Sequence, residues 1–169
     1  MKRKNLWAPW RLEYIQGLGD KGPCFLCDYV NTPAKDAENL VLWRTGLSLV
    51  VFNRFPYNNG HMLISPMRHI AELDEATEEE LLEIVKLTRD CQKALRAAVK
   101  PHGFNVGLNF GRCAGAGLPG HMHVHIVPRW SGDTNYMAVC AGVDVISQSL
   151  TDLYGQLRRI SDKEHLPGV

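Results

Sequence analysis

The chain has 169 residues, of which 45% are hydrophobic and 22% are charged, and its formal net charge is +1. This length and composition suit a soluble globular protein, and we expect residues 1–169 to form a single domain. A net charge this close to zero excludes a protein that holds nucleic-acid backbones by bulk positive charge, so any site for a phosphate-bearing ligand must be local.

The cysteines and the apolar stretches indicate the cellular compartment of the protein. No stretch of about 18 apolar residues occurs, so no transmembrane helix is predicted. The first residues, 1–11, are too polar for the core of a signal peptide. Five cysteines occur and only Cys24 and Cys27 are close in sequence, which is not typical of a secreted disulfide-rich protein. We expect a cytoplasmic protein with reduced thiols.

The predicted elements are short strands and two helices. Residues 1–22 are rich in aromatic side chains and are expected to form an extension that packs on the body of the protein or on a second subunit. A further strand begins at His121. Apolar runs separated by turn residues predict the other strands, at 39–43, 47–52, 61–65 and 104–109.

The long helix is predicted from about Thr77 to Val99. Thr77 and Glu80 form a capping box, and acidic residues occupy the first turn, where the helix dipole favours them. A second helix, at about 147–160, belongs to a helical tail at about 145–169. These elements predict an α+β fold on an antiparallel sheet of about five strands. Helical spacing predicts one buried stripe on the long helix, formed by Leu81, Ile84, Val85, Thr88, Cys91, Leu95 and Ala98.

Three histidines alternate with apolar residues where the last predicted strand begins. Residues i, i+2 and i+4 of a strand share one face, so His121, His123 and His125 are expected in a row with about 7 Å between neighbouring Cα atoms. Met122 and Val124 then fill the opposite, apolar face. A solvated strand face more often carries threonine, lysine or glutamate, so this row indicates a functional site.

The row is compatible with three functions. Three imidazoles can hold a catalytic zinc ion in a tetrahedral site with an open position. A neutral imidazole can instead attack phosphorus while its neighbours neutralise charge. Binding of an anionic ligand without catalysis is the third function. An ordinary imidazole has a pKa of about 6.5, so near pH 7 it is mostly neutral and available as a nucleophile.

A glycine-rich loop, Ala114-Gly-Ala-Gly117, comes shortly before the histidines. It has almost no side chain, so its backbone N–H groups could approach a polyphosphate closely. The same composition is also typical of a flexible turn. The position of the loop shortly before the histidine row favours a role in binding phosphate.

The run Gly120-His-Met-His-Val-His-Ile-Val-Pro-Arg129 resembles the histidine triad (HIT) signature, in which three histidines alternate with hydrophobic residues. The stretch from Asn53 to Pro66, with Gly60-His61, is similar to the nucleotide-binding strand of the same superfamily. These motifs together span about residues 24–130. Three further segments resemble the bacterial branch that includes diadenosine tetraphosphate phosphorylases, namely Trp7–Ile15, Ala114–Gly117 and Pro128–Tyr136. The resemblance implies a HIT-like domain.

The resemblance also implies an enzyme that cleaves dinucleoside polyphosphates at the α-phosphate. In the family the middle histidine, here His123, attacks the α-phosphorus and forms a nucleotidyl-histidine intermediate. His125 matches the histidine that contacts the scissile phosphate. For nucleotide binding, the resemblance implies Asn53 near the ribose, His61 and Asn109, and the glycine-rich loop adds Ala116 and Gly117.

The acceptor of the nucleotide stays open on the sequence. Hydrolase and phosphoramidase branches usually carry a glutamine or serine shortly before the triad, where this chain has Gly117-Leu-Pro-Gly120. The missing polar side chain weakens the case for water and leaves inorganic phosphate, the phosphorylase outcome, compatible. The alternatives are a nucleoside phosphoramidase-type hydrolase and a nucleotide-sensing binding module with little catalysis.

Cys24 and Cys27 are half of a zinc site, and two thiolates need two more ligands. In related proteins that keep the cysteine pair, a downstream histidine and the first triad histidine complete the site; here these are His69 and His121. The resemblance therefore implies a structural zinc ion and no organic cofactor, whereas ordinary buried thiols or a redox pair are the alternatives. It also implies a homodimer joined at the sheet edges. Neither a membrane nor a nucleic-acid polymer is expected as a partner.

Overall fold

The computed structural model describes residues 24–133 and 146–169. The predicted aromatic extension at 1–22 lies outside the described residues. Within them, no helix combines the length and the apolar character needed to cross a bilayer. The elements, in chain order, are α1 (Phe25–Asn31), β1 (Val41–Arg44), β2 (Ser48–Phe52), β3 (Met62–Pro66), α2 (Glu78–Val99), β4 (Gly103–Leu108), β5 (Val124–Arg129) and α3 (Leu150–Glu164).

The strands of the described residues form one antiparallel sheet in the order β1-β2-β3-β5-β4. Chain neighbours β1, β2 and β3 pair in sequence, and the connection through α2 then brings the chain to the edge strand β4. Strand β5 enters between β3 and β4, so its residues have a strand on both sides. The predicted α+β fold on a five-stranded antiparallel sheet is confirmed.

Each face of the sheet has its own apolar cluster. Helices α2 and α3 cover one face, where the side chains alternate inward as the strand period requires. The short helix α1 contributes Leu26 and Tyr29 to the other face. The first cluster takes Val50, Phe52, Met62, Ile64, Val124 and Ile126 from the strands, and the second takes Val41, Leu49, Val51 and Leu63.

Helix α2 begins as predicted, and three residues of the predicted stripe are buried, namely Ile84, Cys91 and Leu95. The Thr77 side chain accepts from the Glu80 N–H, and the Glu80 carboxylate accepts from the Thr77 N–H at 2.8 Å. Leu87 is fully buried, whereas Val85, placed in the stripe by the sequence prediction, is 66% exposed. Successive helical residues are about 100° apart, so Leu87 and Val85 lie on opposite sides of Ile84, and only the Leu87 side turns toward the sheet.

The prediction of a strand from His121 is wrong for its first residues. Strand β5 begins at Val124, which is paired with Leu108 of β4 and Ile64 of β3. The preceding segment leaves the sheet, and its Met122 N–H donates to the carbonyl of Ile70 at 2.7 Å. Only His125 of the three histidines therefore belongs to a strand, although Met122 still lies in the apolar cluster opposite.

Leu87→Ala and Val85→Ala test the corrected stripe on one helix. We expect Leu87→Ala to lower the free energy of unfolding by about 2–5 kcal/mol, because it leaves a cavity in a packed core. Val85→Ala removes mostly exposed surface and should change it by less than about 0.5 kcal/mol. Urea denaturation of both variants measures the difference, and equal losses would contradict the structure.

Candidate active site and metal centre

A cleft on the α1 side of the sheet joins a histidine end to an aromatic end. Its histidine end has a volume of about 440 Å³, and the adjoining aromatic end has a volume of about 220 Å³. The two ends share four lining residues, Phe25, Asn53, Phe55 and Leu63. The histidine end adds Tyr57, Gly117, Leu118, His123 and His125, and the aromatic end adds Tyr29, Phe52 and Arg54.

The ring of His123 has one nitrogen engaged and one available. Its Nδ1 lies 2.8 Å from the carbonyl oxygen of His121. A carbonyl only accepts, so Nδ1 carries the proton and donates. Nε2 then holds the lone pair, and the ring lines the cleft while being 93% shielded from solvent. This is the protonation state that a nucleophilic imidazole needs.

The rings of His61 and His125 form a directed hydrogen-bond chain. The Tyr57 N–H donates to His61 Nδ1 at 3.1 Å, so Nδ1 is an acceptor and the proton of His61 sits on Nε2. His61 Nε2 lies 2.9 Å from His125 Nδ1, which must therefore accept. The proton of His125 is thus left on its Nε2, where it can donate to an anionic ligand in the cleft.

These rings are neutral near pH 7. Burial, reinforced by the charges of His125 and His123, lowers the pKa of His61 to about 3. Burial and the charge of His123 lower the pKa of His125 to about 4. Burial also lowers the pKa of His123, although its hydrogen bond to the His121 carbonyl acts in the opposite direction. The histidine end therefore offers a lone pair and an N–H dipole rather than positive charge.

The second group is a set of two thiols and two imidazoles, which we call the Cys2His2 cluster: Cys24, Cys27, His69 and His121. Its potential ligand atoms all lie within 4.8 Å of one another. Sγ of Cys27 is 3.1 Å from Nδ1 of His69, and Sγ of Cys24 is 3.3 Å from Nδ1 of His121. Tetrahedral zinc, with its usual bond lengths, separates sulfur and nitrogen ligands by about 3.5 Å. The cluster thus has the dimensions of a zinc site.

His121 connects the two groups. Its Nε2 lies 2.9 Å from the carbonyl of Pro66, so the proton is on Nε2 and the lone pair of Nδ1 faces the cysteines. Its own carbonyl accepts from His123, as described above. One residue therefore belongs to the Cys2His2 cluster through its side chain and to the histidine end of the cleft through its backbone.

The sequence-predicted residues are not all in the cleft. Asn53, His61, His123 and His125 lie together, and Gly117 lines the histidine end. Ala116 is 99% buried and its N–H donates to the Gly111 carbonyl. Asn109 follows β4 and lines neither end of the cleft. The role of Asn109 in nucleotide binding remains a prediction, as does that of Ala116.

Most backbone N–H groups of the glycine-rich loop already donate hydrogen bonds to carbonyl groups just before the loop. The N–H groups of Ala114 and Ala116 both donate to the Gly111 carbonyl, and that of Gly115 donates to the Arg112 carbonyl. Of the four residues predicted to cradle phosphate, Gly117 is the one that lines the cleft. The small residues therefore serve the tight turn, with Gly115 at φ +93°, as much as they serve ligand access.

The aromatic end of the cleft is not predicted from the sequence. Phe25 and Tyr29 lie one helical turn apart in α1, with ring centroids 5.4 Å apart. Phe55 is 86% exposed and Tyr57 is 56% exposed, both in the loop that precedes His61. The sequence does carry aromatic residues on either side of Asn53, but their contact with α1 depends on the sheet topology, which a local pattern does not specify.

We expect stability to fall when the pH drops below about 6.5. The pKa of His61 is about 3 in the folded protein and about 6.5 in the unfolded chain, so between these values only the unfolded chain takes up the proton. His61 should then lower the free energy of unfolding by about 1.4 kcal/mol per pH unit. Urea denaturation across this range measures the slope, which should be smaller for His61→Gln. Equal slopes for the two proteins would contradict neutral burial of His61.

Comparison with known sequences identifies related proteins. A family model described as the HIT domain matches residues 34–132. A protein of Mycobacterium tuberculosis (strain CDC 1551 / Oshkosh), named AP-4-A phosphorylase, is 37% identical over 155 residues, which cover 88% of this chain and 80% of that protein. A Schizosaccharomyces pombe protein, named asymmetrical bis(5'-nucleosyl)-tetraphosphatase, is 34% identical over 93 residues, covering 55% of this chain and 50% of that protein.

A solved structure shares the fold. A Zn-bound histidine triad family protein from Mycobacterium smegmatis superposes with a TM-score of 0.67 and 22% identity, covering 84% of this chain and 95% of that one. The family model spans more than half of the present chain, and the M. tuberculosis protein aligns with most of it. The chain therefore belongs to the histidine triad (HIT) family.

Proposed function

We propose that this protein cleaves dinucleoside polyphosphates of the diadenosine tetraphosphate type at the α-phosphate, with His123 as the nucleophile and inorganic phosphate as the acceptor. The observation that carries the proposal is the protonation pattern of the histidine end. His123 presents a lone pair, and His125 beside it, with ring centroids 4.9 Å apart, presents an N–H. An attacking atom and a donor for a phosphate oxygen thus stand side by side.

The reaction takes two displacements. His123 Nε2 bonds to the α-phosphorus while the bond from phosphorus to the bridging oxygen breaks, and the electron pair leaves with the nucleoside polyphosphate. The Nε2–H of His125 donates to an α-phosphate oxygen as charge builds on it. The acceptor oxygen then bonds to phosphorus, the bond to His123 breaks, and the imidazole becomes neutral again. Its hydrogen bond to His121 holds the ring through both steps.

The aromatic end of the cleft suits the nucleoside of the transferred nucleotide. Bases stack on aromatic side chains with little dependence on their hydrogen-bonding edges. Phe25, Tyr29 and Phe55 supply aromatic side chains there, and Asn53 lies where the aromatic and histidine ends meet. A nucleotide with its base at the aromatic end would bring its α-phosphate toward His123, and Asn53 would lie beside the ribose.

Phosphate as the acceptor is supported by two observations. The segment before the histidines, Gly117-Leu-Pro-Gly120, has no polar side chain to orient water. The relative that aligns with 88% of this chain is named a phosphorylase. Phosphorolysis of diadenosine tetraphosphate would yield ADP and ATP, because phosphate takes the AMP unit from His123. Hydrolysis would yield AMP and ATP.

Product analysis of a diadenosine tetraphosphate digest tests this function. We expect ADP and ATP in equal amounts, and the ADP should carry label from radioactive inorganic phosphate. His123→Asn should lower kcat by about 1,000-fold or more, because the attacking lone pair is lost, and should leave nucleotide affinity within a few fold. The exposed control His102→Asn should keep full activity.

Other products decide between the alternatives. AMP without labelled ADP would contradict phosphorolysis while keeping the His123 nucleophile. Full activity of His123→Asn would contradict the nucleophile itself. A nucleoside phosphoramidase would release AMP from adenosine phosphoramidate in preference, and a binding module would bind nucleotide without turnover.

We also propose that the Cys2His2 cluster holds a structural zinc ion. Its four potential ligand atoms have the spacing of a tetrahedral site. Burial and the neighbouring Cys24 thiol raise the pKa of Cys27 to about 11, so two adjacent thiolates require a cation. The M. smegmatis structure that shares the fold is described as Zn-bound, which agrees with this choice of metal. When bound, zinc would neutralise the thiolates and cross-link α1 to the segment that carries His121.

Removal of the metal should therefore lower the stability of the fold. Cys27→Ser should lose the stoichiometric zinc, and its free energy of unfolding should fall by about 3 kcal/mol or more, or roughly 10 °C in Tm. Cys113→Ser, which changes an exposed cysteine, should keep both. Metal analysis and thermal unfolding make the measurement. Chelation that abolishes activity without changing Tm would contradict a structural ion and favour a catalytic one.

We further propose a homodimer joined through β4, working in the cytoplasm as a single domain. Strand β4 is an edge of the sheet, and its Val106 is 46% exposed. Such an edge readily pairs with another strand. A monomer mass in light scattering would contradict the dimer. The cytoplasmic location rests on the cysteines, since the four that the structure describes are free thiols.

A further inference from the structure

We propose that Asn53 is a positioning residue which, through His61, keeps the proton of His125 on the nitrogen that faces the substrate phosphate. This inference deepens the proposed function and rests on it. It gives Asn53 a role in the chemical step, in addition to any contact with the ribose.

The amide of Asn53 is oriented by the backbone next to it. The Phe55 N–H donates to Asn53 Oδ1 at 2.9 Å, which identifies this atom as the oxygen. The amide nitrogen is then the atom that lies 3.2 Å from His61 Nδ1. An amide nitrogen only donates, so Asn53 places a donor against Nδ1, as the Tyr57 N–H also does from 3.1 Å.

The donors at His61 Nδ1 determine the tautomer of His61 and, through it, that of His125. With two donors at Nδ1, the neutral ring of His61 keeps its own proton on Nε2 and donates to His125 Nδ1 at 2.9 Å. The ring is completely buried, so no water competes for either nitrogen. The titratable groups that face it are His125, His123 and the Tyr57 ring, whose centroid is 4.6 Å from that of His61.

The direction of the hydrogen bond between His61 and His125 determines whether His125 presents an N–H or a lone pair to a phosphate. A phosphate oxygen accepts hydrogen bonds, so His125 must present an N–H to it. If His61 took the opposite tautomer, His125 would donate to His61 and turn a lone pair toward the phosphate. Lone pairs facing each other repel, and the donor that stabilises the transition state would be lost. Asn53 opposes this reversal by placing a donor where the reversed tautomer of His61 would place its own N–H.

Asn53→Asp separates this role from a purely structural one. The aspartate keeps an oxygen to accept from the Phe55 N–H, so the loop retains its anchor, but it replaces the donor at His61 Nδ1 with an acceptor. We expect kcat to fall on the order of 100-fold, as when one donor to a transition-state oxygen is removed. KM should rise by a much smaller factor than kcat falls, because the cleft keeps its shape and its aromatic walls and an aspartate oxygen still accepts hydrogen bonds.

Nitrogen-15 NMR of the imidazoles shows which ring nitrogen carries the proton. A purely structural role of Asn53 would leave this protonation unchanged in the variant. In the original protein, His61 and His125 should both show the protonated nitrogen at Nε2. In Asn53→Asp, the carboxylate competes with the Tyr57 N–H at His61 Nδ1, so the fraction of His61 protonated at Nδ1 should rise, and the ring should titrate at higher pH because a carboxylate now faces it. Asn31→Asp adds the same charge at an exposed position and should leave both kcat and the spectra unchanged.

Two results would overturn the proposal. One is a kcat of Asn53→Asp within about threefold of the original value. The other is a proton on His125 Nδ1 in the original protein, which requires no variant and so does not depend on how a variant folds. Failure of the proposed function is distinguishable, because a protein that does not cleave diadenosine tetraphosphate would still show the Nε2 protonation of both rings.

Discussion

The hydrogen bond from His123 to the His121 carbonyl is the contact on which the proposed chemistry depends, because it fixes which nitrogen of His123 faces the cleft. It exists because the chain leaves the sheet before β5, which frees that carbonyl from pairing with a neighbouring strand. The position of this segment outside the sheet is stabilised through both ring nitrogens of His121. Nε2 donates to the Pro66 carbonyl, and Nδ1 lies against the cysteines. A continuous strand would have used the same carbonyl in the sheet and left His123 without a fixed tautomer.

Neutral histidines suit the proposed reaction, in which one imidazole attacks phosphorus and another donates a hydrogen bond to phosphate. A charged imidazolium would bind an anion more strongly, but it would have no lone pair for the attack. Burial resolves this conflict by keeping the imidazoles uncharged, while hydrogen bonds assign each proton to one nitrogen. The site then depends on the direction of dipoles, which a low-dielectric environment makes more effective.

The loop from Asn53 to Gly60 connects the parts of the cleft. Gly60 ends it at φ +76°, where a Cβ atom would lie 2.9 Å from Leu95 Cδ2 in the core. The glycine therefore allows the backbone to approach α2 closely and to direct His61 toward His125. The same loop places Phe55 and Tyr57 along the cleft, so the side chains proposed to bind the nucleoside and the N–H that orients His61 belong to one structural element.

Several features follow from the sequence alone. The two periodicities, about 3.6 for α2 and 2 for the strands, are local properties of the chain, so the fold class and the helix cap at Thr77 were predictable. The spacing of Cys24 and Cys27 and the alternation of His121, His123 and His125, read together with the family resemblance, also indicated which residues come together.

Only the tertiary structure decided how these residues differ. Strand β5 begins at Val124 because its pairing with β3 and β4 begins there, and pairing is a contact between distant parts of the chain. The same long-range packing turns Leu87 rather than Val85 toward the core and brings α1 to the cleft. The tautomer of His125 depends on the side chain of His61, which comes from a distant part of the chain, and the tautomers of His61 and His123 depend on nearby backbone groups that only the folded chain directs at the rings. The sequence thus determined the chemical groups, whereas the tertiary structure determined which nitrogen of each ring carries the proton.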